Sequence, residues 1–517
     1  MPSVITRSFR IHNAKQFKEA FTEPSPTRLF SFIARITPWD NESVPPTPVD
    51  RIQDIDYCIW RGMTAAKKIT DSDVTYAIPR YNWSANTIYR EWNSTDSALF
   101  DEPVSANTFY VYTSANNVYK CLFNNKAAAS INEPTSTSTS TISTADGYLW
   151  KFMYNVSSAE FLRFATDDYI PVTTLTSNNG SDQWLTQQAA ANGAINVIEV
   201  TAGGNGYLTH TGAFVAVSNS TIMTLAANAS IIDDSYNDYS LFVSTGLGSS
   251  QLAPVVNYVG ATKVVTLGSG IVVTPNTSST YLIAPTITLL GDGTGATAYA
   301  NVDSSSAINY INIISAGSNY SKATALISGN TIYGSGATST VYMPPSGGHG
   351  SDPITELAGH NIVINMEYTG DVSNTFPIVN DFRTIGIVKD PLLANNSIAT
   401  GTAYDQTTKI NITSVTNSGA WTQDEIVEGT YGTARVVTFA NTNSGNTAGT
   451  LSVVSTNATF TVAETITGNT SSTTAVVGSV TDPQLTQYSG EIMYVENTTA
   501  ITRSIYQTED FKLVIKF

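Results

Sequence analysis

The stretch that most constrains this chain is its last, Ser489–Phe517, which reads SGEIMYVENTTAITRSIYQTEDFKLVIKF. Ile492 and Tyr494 alternate with Met493 and Val495. After a turn-like Glu496-Asn497-Thr498-Thr499, Phe511, Leu513, Ile515 and Phe517 alternate with Lys512, Val514 and Lys516. A period of two marks a half-buried strand. Chain ends are loose unless a sheet or a docked element holds them. An apolar strand running to Phe517 therefore predicts insertion into a core sheet whose other strands lie far upstream, with the middle of the chain as excursions from one frame. The alternative is an edge strand capping a local hairpin.

Composition agrees with a strand-rich chain. Only 13% of the 517 residues are charged, and Ser, Thr, Asn and Gly are abundant, which depletes helix formers and enriches strand and turn residues. The length predicts roughly two to four domains. Lys and Arg number 25 against 41 Asp and Glu, a net charge of -16. Such a surface repels phosphate backbones, so nucleic acid is not an expected partner. No apolar run approaches the ~18 residues that span a bilayer, and the N-terminal MPSVITRSFRIHNAKQFK lacks the apolar segment of a signal peptide. Cys58 and Cys121 both sit among apolar neighbours and read as buried free thiols of a reducing compartment.

The N-terminal third mixes short helices with strands. Asn13 is placed to cap a helix over 14–21, ended at Pro24-Ser25-Pro26. A strand is expected over 29–36. Ile52, Ile55, Ile59 and Met63 predict a helix over 50–63, stopped near Gly62. Extended segments follow at 74–79 and 169–172. FYVYTSANNVYKCLF gives a hairpin around Ser114–Asn117. The Ser/Thr tract 134–144 has the composition of a mobile loop. Asp146-Gly147 turns into a strand over 148–154, and 157–164 can form one or two helical turns.

Two repeat systems interrupt this pattern. AINVIEVTAGGNGY (194–207) returns as AINYINIISAGSNY (307–320), and APTITLLGDGTGATAYANV (284–302) is echoed by ATALISGNTIYGSGATSTVYM (323–343). WTQDEIVEGTYGTARVV (421–437) is matched by FTVAETITGNTSSTTAVV (460–477). Duplicated small β units stack side by side. The chain thus divides into a frame over 1–188, an inserted β-repeat module over 189–350, frame again over 351–400, a second inserted module over 401–482, and the frame's C-terminal strands over 483–517. The fold class is mainly β: a layered β-sandwich frame with a few flanking helices and two inserted repeat modules.

Candidate chemistry is sparse. His12, His210, His349 and His360 have no His or Cys partner at metal-ligand spacing. His349, in Ser346-Gly347-Gly348-His349-Gly350-Ser351-Asp352, has no identifiable nucleophile, base and orienter around it and reads as part of a flexible loop. Gly291-Asp292-Gly293-Thr294-Gly295 has the look of a calcium-binding glycine repeat without its recurrence, and reads as a tight turn. Acidic pairs such as Asp167-Asp168 are assigned no raised pKa. No catalytic residue, cofactor site or metal site is expected, and no enzyme activity.

The blocks RLFSFIARITPWDNE with VPPTPVD, AIPRYNW, VYKCLF, DGYLWKFMYNV, FPIVNDFRTIGIVKDPL and the closing SGEIMYVENTTAITRSIYQTEDFKLVIKF occur in order. Together they resemble the baseplate wedge protein called gene product eight of T-even-type contractile-tailed phages, over roughly 5–175, 352–395 and 484–517. Both repeat blocks and the Ser/Thr tract fall outside it. Where that family tends to have Arg-Pro-Pro after the Glu-Asn of the last block, this chain has Thr498-Thr499-Ala500. The resemblance implies a structural subunit of the virion tail baseplate, assembled in the host cytoplasm. It implies a homodimer joined to other baseplate wedge proteins, without catalysis, membrane or nucleic acid. The rival from another class is a glycan-binding adhesin or tail-spike-like depolymerase, suggested by the β-rich repeats.

Overall fold

The computed structural model describes residues 4–23, 27–100, 108–330, 332–457 and 459–517. The fold is mainly β, with 41% of the described residues in strands and 10% in helices. The chain forms two compact units, one of residues 1–11 and 77–359 and one of residues 12–76 and 360–517, so the first expected frame segment is shared between them. The proline break at 24–26 lies outside the described residues.

The second unit contains the sandwich that the closing stretch predicts. One layer is five strands in the order Ala403–Asp405, Met63–Lys68, Leu29–Ala34, Phe382–Lys389, Glu491–Ile501. The other holds Thr508–Lys516 antiparallel to Asn361–Thr369. Leu29, Ile33, Ala65, Ile385 and Ile387 of the first layer meet Ile362, Ile364 and Met366 of the second, with Phe511, Leu513, Ile515 and Phe517 packed half-buried against them. The last strand thus faces a core but lies at the edge of its sheet, and its partner is 361–369, not an N-terminal strand. The expected turn at 496–499 is absent. Glu491–Ile501 is continuous, because two register shifts opposite Phe382–Lys389 absorb the polar run and Asn497 accepts a hydrogen bond from Thr384.

Other expectations shift for local reasons. The first helix is Arg7–Glu19, so Asn13 lies inside it, while Ala14, Phe17 and Phe21 do face the sandwich core. Residues 50–63 are not one amphipathic helix. Gln53–Cys58 form a wide π-helical turn and Ile59–Gly62 a single α-turn, because Met63 is drawn into strand pairing opposite Ala34. Ile52 is left exposed and Trp60 fills the core instead. Cys58, on that turn, is exposed, whereas Cys121 is buried. The hairpin Tyr110–Tyr112/Asn117–Phe123, the strand Leu149–Asn155 and the Ser157-capped helix Ser158–Phe164 form as read. The Ser/Thr tract is anchored: Pro134 and Ile142 are buried, and Ile142–Ser143 pairs with Leu149–Asn155.

Each repeat system builds an interlocked six-stranded unit. In 408–481 each repeat supplies three strands: Thr408–Thr413, Ile426–Glu428 and Thr433–Asn441, then Gly449–Val454, Thr465–Gly468 and Thr474–Thr481. First pairs with first, second with second, and each third strand with the other repeat's first, closing a barrel. The Glu425 carboxylate accepts from Thr470 and Ser471 of the second repeat (3.0 and 2.9 Å), and Glu464 accepts from Thr430 of the first (2.7 Å). One repeat alone would leave one face of its strands without cover, which is why Val427, Leu451, Ile466 and Val477 share one core.

The same connectivity recurs in 198–341. Its strands are Ile198–Asn205, Thr280–Gly291 and Thr294–Val302, then Ile308–Ser318, Ala323–Ser328 and Ser335–Val341. The second strands pair, and each third strand pairs with the other repeat's first. The first strands lie side by side around a common core. Tyr207 covers Gly334, and Tyr320 covers Gly293: a Cβ there would sit 2.2 and 2.4 Å from the ring. Between the first two strands a further block of short strands is inserted, with its own core of Met223, Leu241, Tyr258 and Val265.

Candidate binding cleft and its buried charge cluster

In the first unit, Asn117–Phe123 and Leu149–Asn155 are neighbouring antiparallel strands, and their register sets Lys120 directly opposite Lys151. Like charges so placed repel. Relief comes from the short helix Pro353–Glu356, whose start is fixed by Asp352 accepting from the Thr355 N–H. Its Glu356 carboxylate takes a hydrogen bond from Lys120 Nζ, with both side chains fully buried. It also accepts from the backbone N–H of Gly350 (2.8 Å) and Asp352 (3.2 Å). Gly350 has φ +93°, and a Cβ there would lie 2.9 Å from Lys151 Cε, so the loop can press against the lysine only with glycine at this position.

His349, read from sequence as part of a flexible loop, is instead buried. Its ring stands edge-on against Trp92 at 5.3 Å, and the Lys120 ammonium lies 4.7 Å from a Trp92 ring centroid. Burial, with Lys120 and Lys151 nearby, holds its pKa well below the usual histidine value, so the imidazole is neutral at neutral pH. Its Nδ1 has no hydrogen-bond partner. Lys151 donates to the Thr139 carbonyl, and burial with the Lys120 charge lowers its pKa to about 8. Arg7, stacked over Phe100 at 3.7 Å, has buried Nε and Nη1 atoms without partners, and burial lowers its pKa. Three cations therefore surround a single buried carboxylate.

Above this cluster lies a cleft of about 950 Å³, between the 139–151 strand-and-loop segment and the repeat strands Ile198–Asn205 and Ile308–Ser318. Lys151 and His349 line it, together with Ser, Thr and Asn side chains of both walls. Among the described residues the one acidic side chain of its lining is Asp146, which accepts from Ser130 and Thr144 and from the N–H groups of Ile131 and Asn132. Burial raises its pKa, but the bonds from Thr144, Asn132 and Ile131 outweigh that and hold the carboxyl below the usual range.

The other sequence candidates are not brought here. His210 stacks on Tyr281 with Nδ1 3.0 Å from its hydroxyl, in the inserted block. Asp292 and Gly293 link the strands Thr280–Gly291 and Thr294–Val302, and Asp292 accepts from Ser321 and Lys322 of the other repeat. Among the described residues no group of three His, Cys, Asp or Glu could hold a metal ion. Sequence reasoning missed Lys120, Lys151 and Glu356. The available signal was a lysine in the middle of each of two apolar strands, YKCLF and LWKFMY, which demands a buried counter-charge. No family model matches this chain, and no curated protein matches it.

Proposed function

We propose that the chain is a structural subunit of a contractile phage tail baseplate, a wedge protein that self-associates as a homodimer and joins neighbouring wedge proteins. The observation that carries this reading is the convergence of its family-like blocks. Residues 28–42, 376–392 and 489–517 are separated in the chain by the whole of the first repeat module and by the second, yet they supply adjoining strands: Leu29–Ala34 pairs with Phe382–Lys389, which pairs with Glu491–Ile501. The repeat modules, for which the resemblance has no counterpart, form separate barrel-like cores. The last block also presents Met493, Ile505 and Tyr506 to solvent, the last 94% exposed. Aromatic and methionine side chains of this kind are enriched where protein partners dock. Cryo-electron microscopy of the tailed particle that encodes the chain tests the reading. Density for the sandwich in the baseplate is the expected result, together with a dimer of the purified chain by sedimentation. A monomer at micromolar concentration and absence from purified particles would overturn it.

A further inference from the structure

The cleft over Lys151 and His349 has the features of a ligand site that the wedge reading does not use. Both floor residues are more than nine-tenths buried, which is unusual for lysine and demands a compensating partner. Lys151 has three donors, of which the Thr139 carbonyl takes one. His349 keeps an unpartnered Nδ1. The cluster beneath them carries more positive than negative charge, because Glu356 faces Lys120, Lys151 and Arg7, and Asp146 at the cleft is already engaged. An anionic group entering over Lys151 would meet a buried cation with two donors that the Thr139 carbonyl leaves over, and charge-assisted hydrogen bonds to such a group are the strong ones.

The walls specify more than charge. Asn196, Asn312, Ser140, Thr141 and Ser315 offer amides and hydroxyls, interrupted by Ile311, Ile313 and the half-exposed ring of Tyr310. Side-chain amides and hydroxyls both donate and accept, which suits a ligand that is itself covered with hydroxyls. A volume of about 950 Å³ is that of a site for a molecule larger than a single ion. We propose that this cleft binds an acidic sugar, its carboxylate over Lys151 and His349 and its hydroxyls against the Asn, Ser and Thr walls. The site lies within the first unit and stands whether or not the chain is a wedge protein.

Calorimetric titration of the full chain with digalacturonate, N-acetylneuraminic acid, the neutral disaccharide galactobiose and inorganic phosphate tests this. Saturable binding of at least one acidic sugar is expected, with galactobiose and phosphate each about tenfold weaker or worse. Lys151→Met should abolish the preference for the acid over the neutral sugar. Asn312→Ala, on a half-buried wall residue, should weaken acidic-sugar binding without changing the melting temperature. The proposal is overturned if neither acid binds up to about 10 mM, if the neutral sugar binds as tightly, or if phosphate binds as tightly and the site is a plain oxyanion pocket.

Discussion

Lys120 and Glu356, 236 positions apart in the chain, form an ion pair from which solvent is wholly removed. Breaking such a pair by removing one partner leaves an uncompensated buried charge and costs about 3–5 kcal/mol. Glu356→Leu should therefore destabilise the first unit by that order in denaturant unfolding. The double variant Lys120→Met/Glu356→Leu should recover most of the loss, since apolar replacement of a whole buried pair is often neutral or stabilising. A double variant as unstable as the single one would show that the pair itself, not the stranded charge, holds the helix 353–356 against the sheet.

Gly334 sits at φ +84° with the Tyr207 ring where a Cβ would go. Gly334→Ala combines a left-handed backbone penalty with a clash against a buried ring, and should cost about 2–4 kcal/mol. Gly180→Ala is the control. Its φ is +78° but nothing lies within 4 Å of the added carbon, so the backbone term alone, about 1–2 kcal/mol, should appear. Equal melting temperatures for the two would remove the ring contact from the account of how the repeats interlock.

The lowered pKa of Lys151, about 8 against an ordinary 10.5, makes stability depend on pH with a definite sign. Between these values the unfolded chain binds more protons than the folded one, so this residue's contribution rises with pH, by at most about 1.4 kcal/mol per unit. Lys120, Glu356 and His349 surround it; the Lys120 charge lowers and the Glu356 charge raises its pKa, and burial outweighs both. The variant should be more stable than the parent at pH 7, and the gap should shrink toward pH 10. A pH-independent gap in chemical denaturation would contradict the assigned burial.

Residues 508–516 add nine cross-strand pairs to Asn361–Thr369, and with Phe517 they lay Phe511, Leu513 and Ile515 on the sandwich core. Those side chains are half-buried, so Leu513→Ala should cost about 1–2 kcal/mol, below the 2–5 of a fully buried leucine. Deleting 508–517 bares Ile362, Ile364 and Met366 together, and should lower stability by on the order of 5 kcal/mol, much of a domain's total. A melting temperature within a few degrees of the parent would show the strand to be an accessory.

What was legible in the chain was what short-range periodicity and repetition encode. Phe511 to Phe517 announce a one-sided strand, and the two GxGAT segments each announce a glycine turn leading into a strand, Thr294–Val302 and Ser335–Val341. What escaped depends on partners remote in sequence. Ile52 to Met63 has helical spacing, but Met63 gains more from pairing with Ala34 than from continuing a helix. His349 looked solvated among glycines, and only the fold brings Trp92 against it. The cleft was invisible because its floor joins Lys151 of a strand to His349 of a distant loop, while its walls join the 139–151 segment to the first strands of both repeats.

Both repeat modules begin and end at one place: Ile198 lies opposite Val341, and Lys409 opposite Thr481. Tension drawn along the chain through either module would enter and leave by adjacent strands. It would first load the hydrogen bonds between those two strands and leave the rest of the ring slack. The interlocked modules are thus spliced in parallel with the path of force, like beads tied to a cord by a single loop, and their size could change without altering the length of the cord.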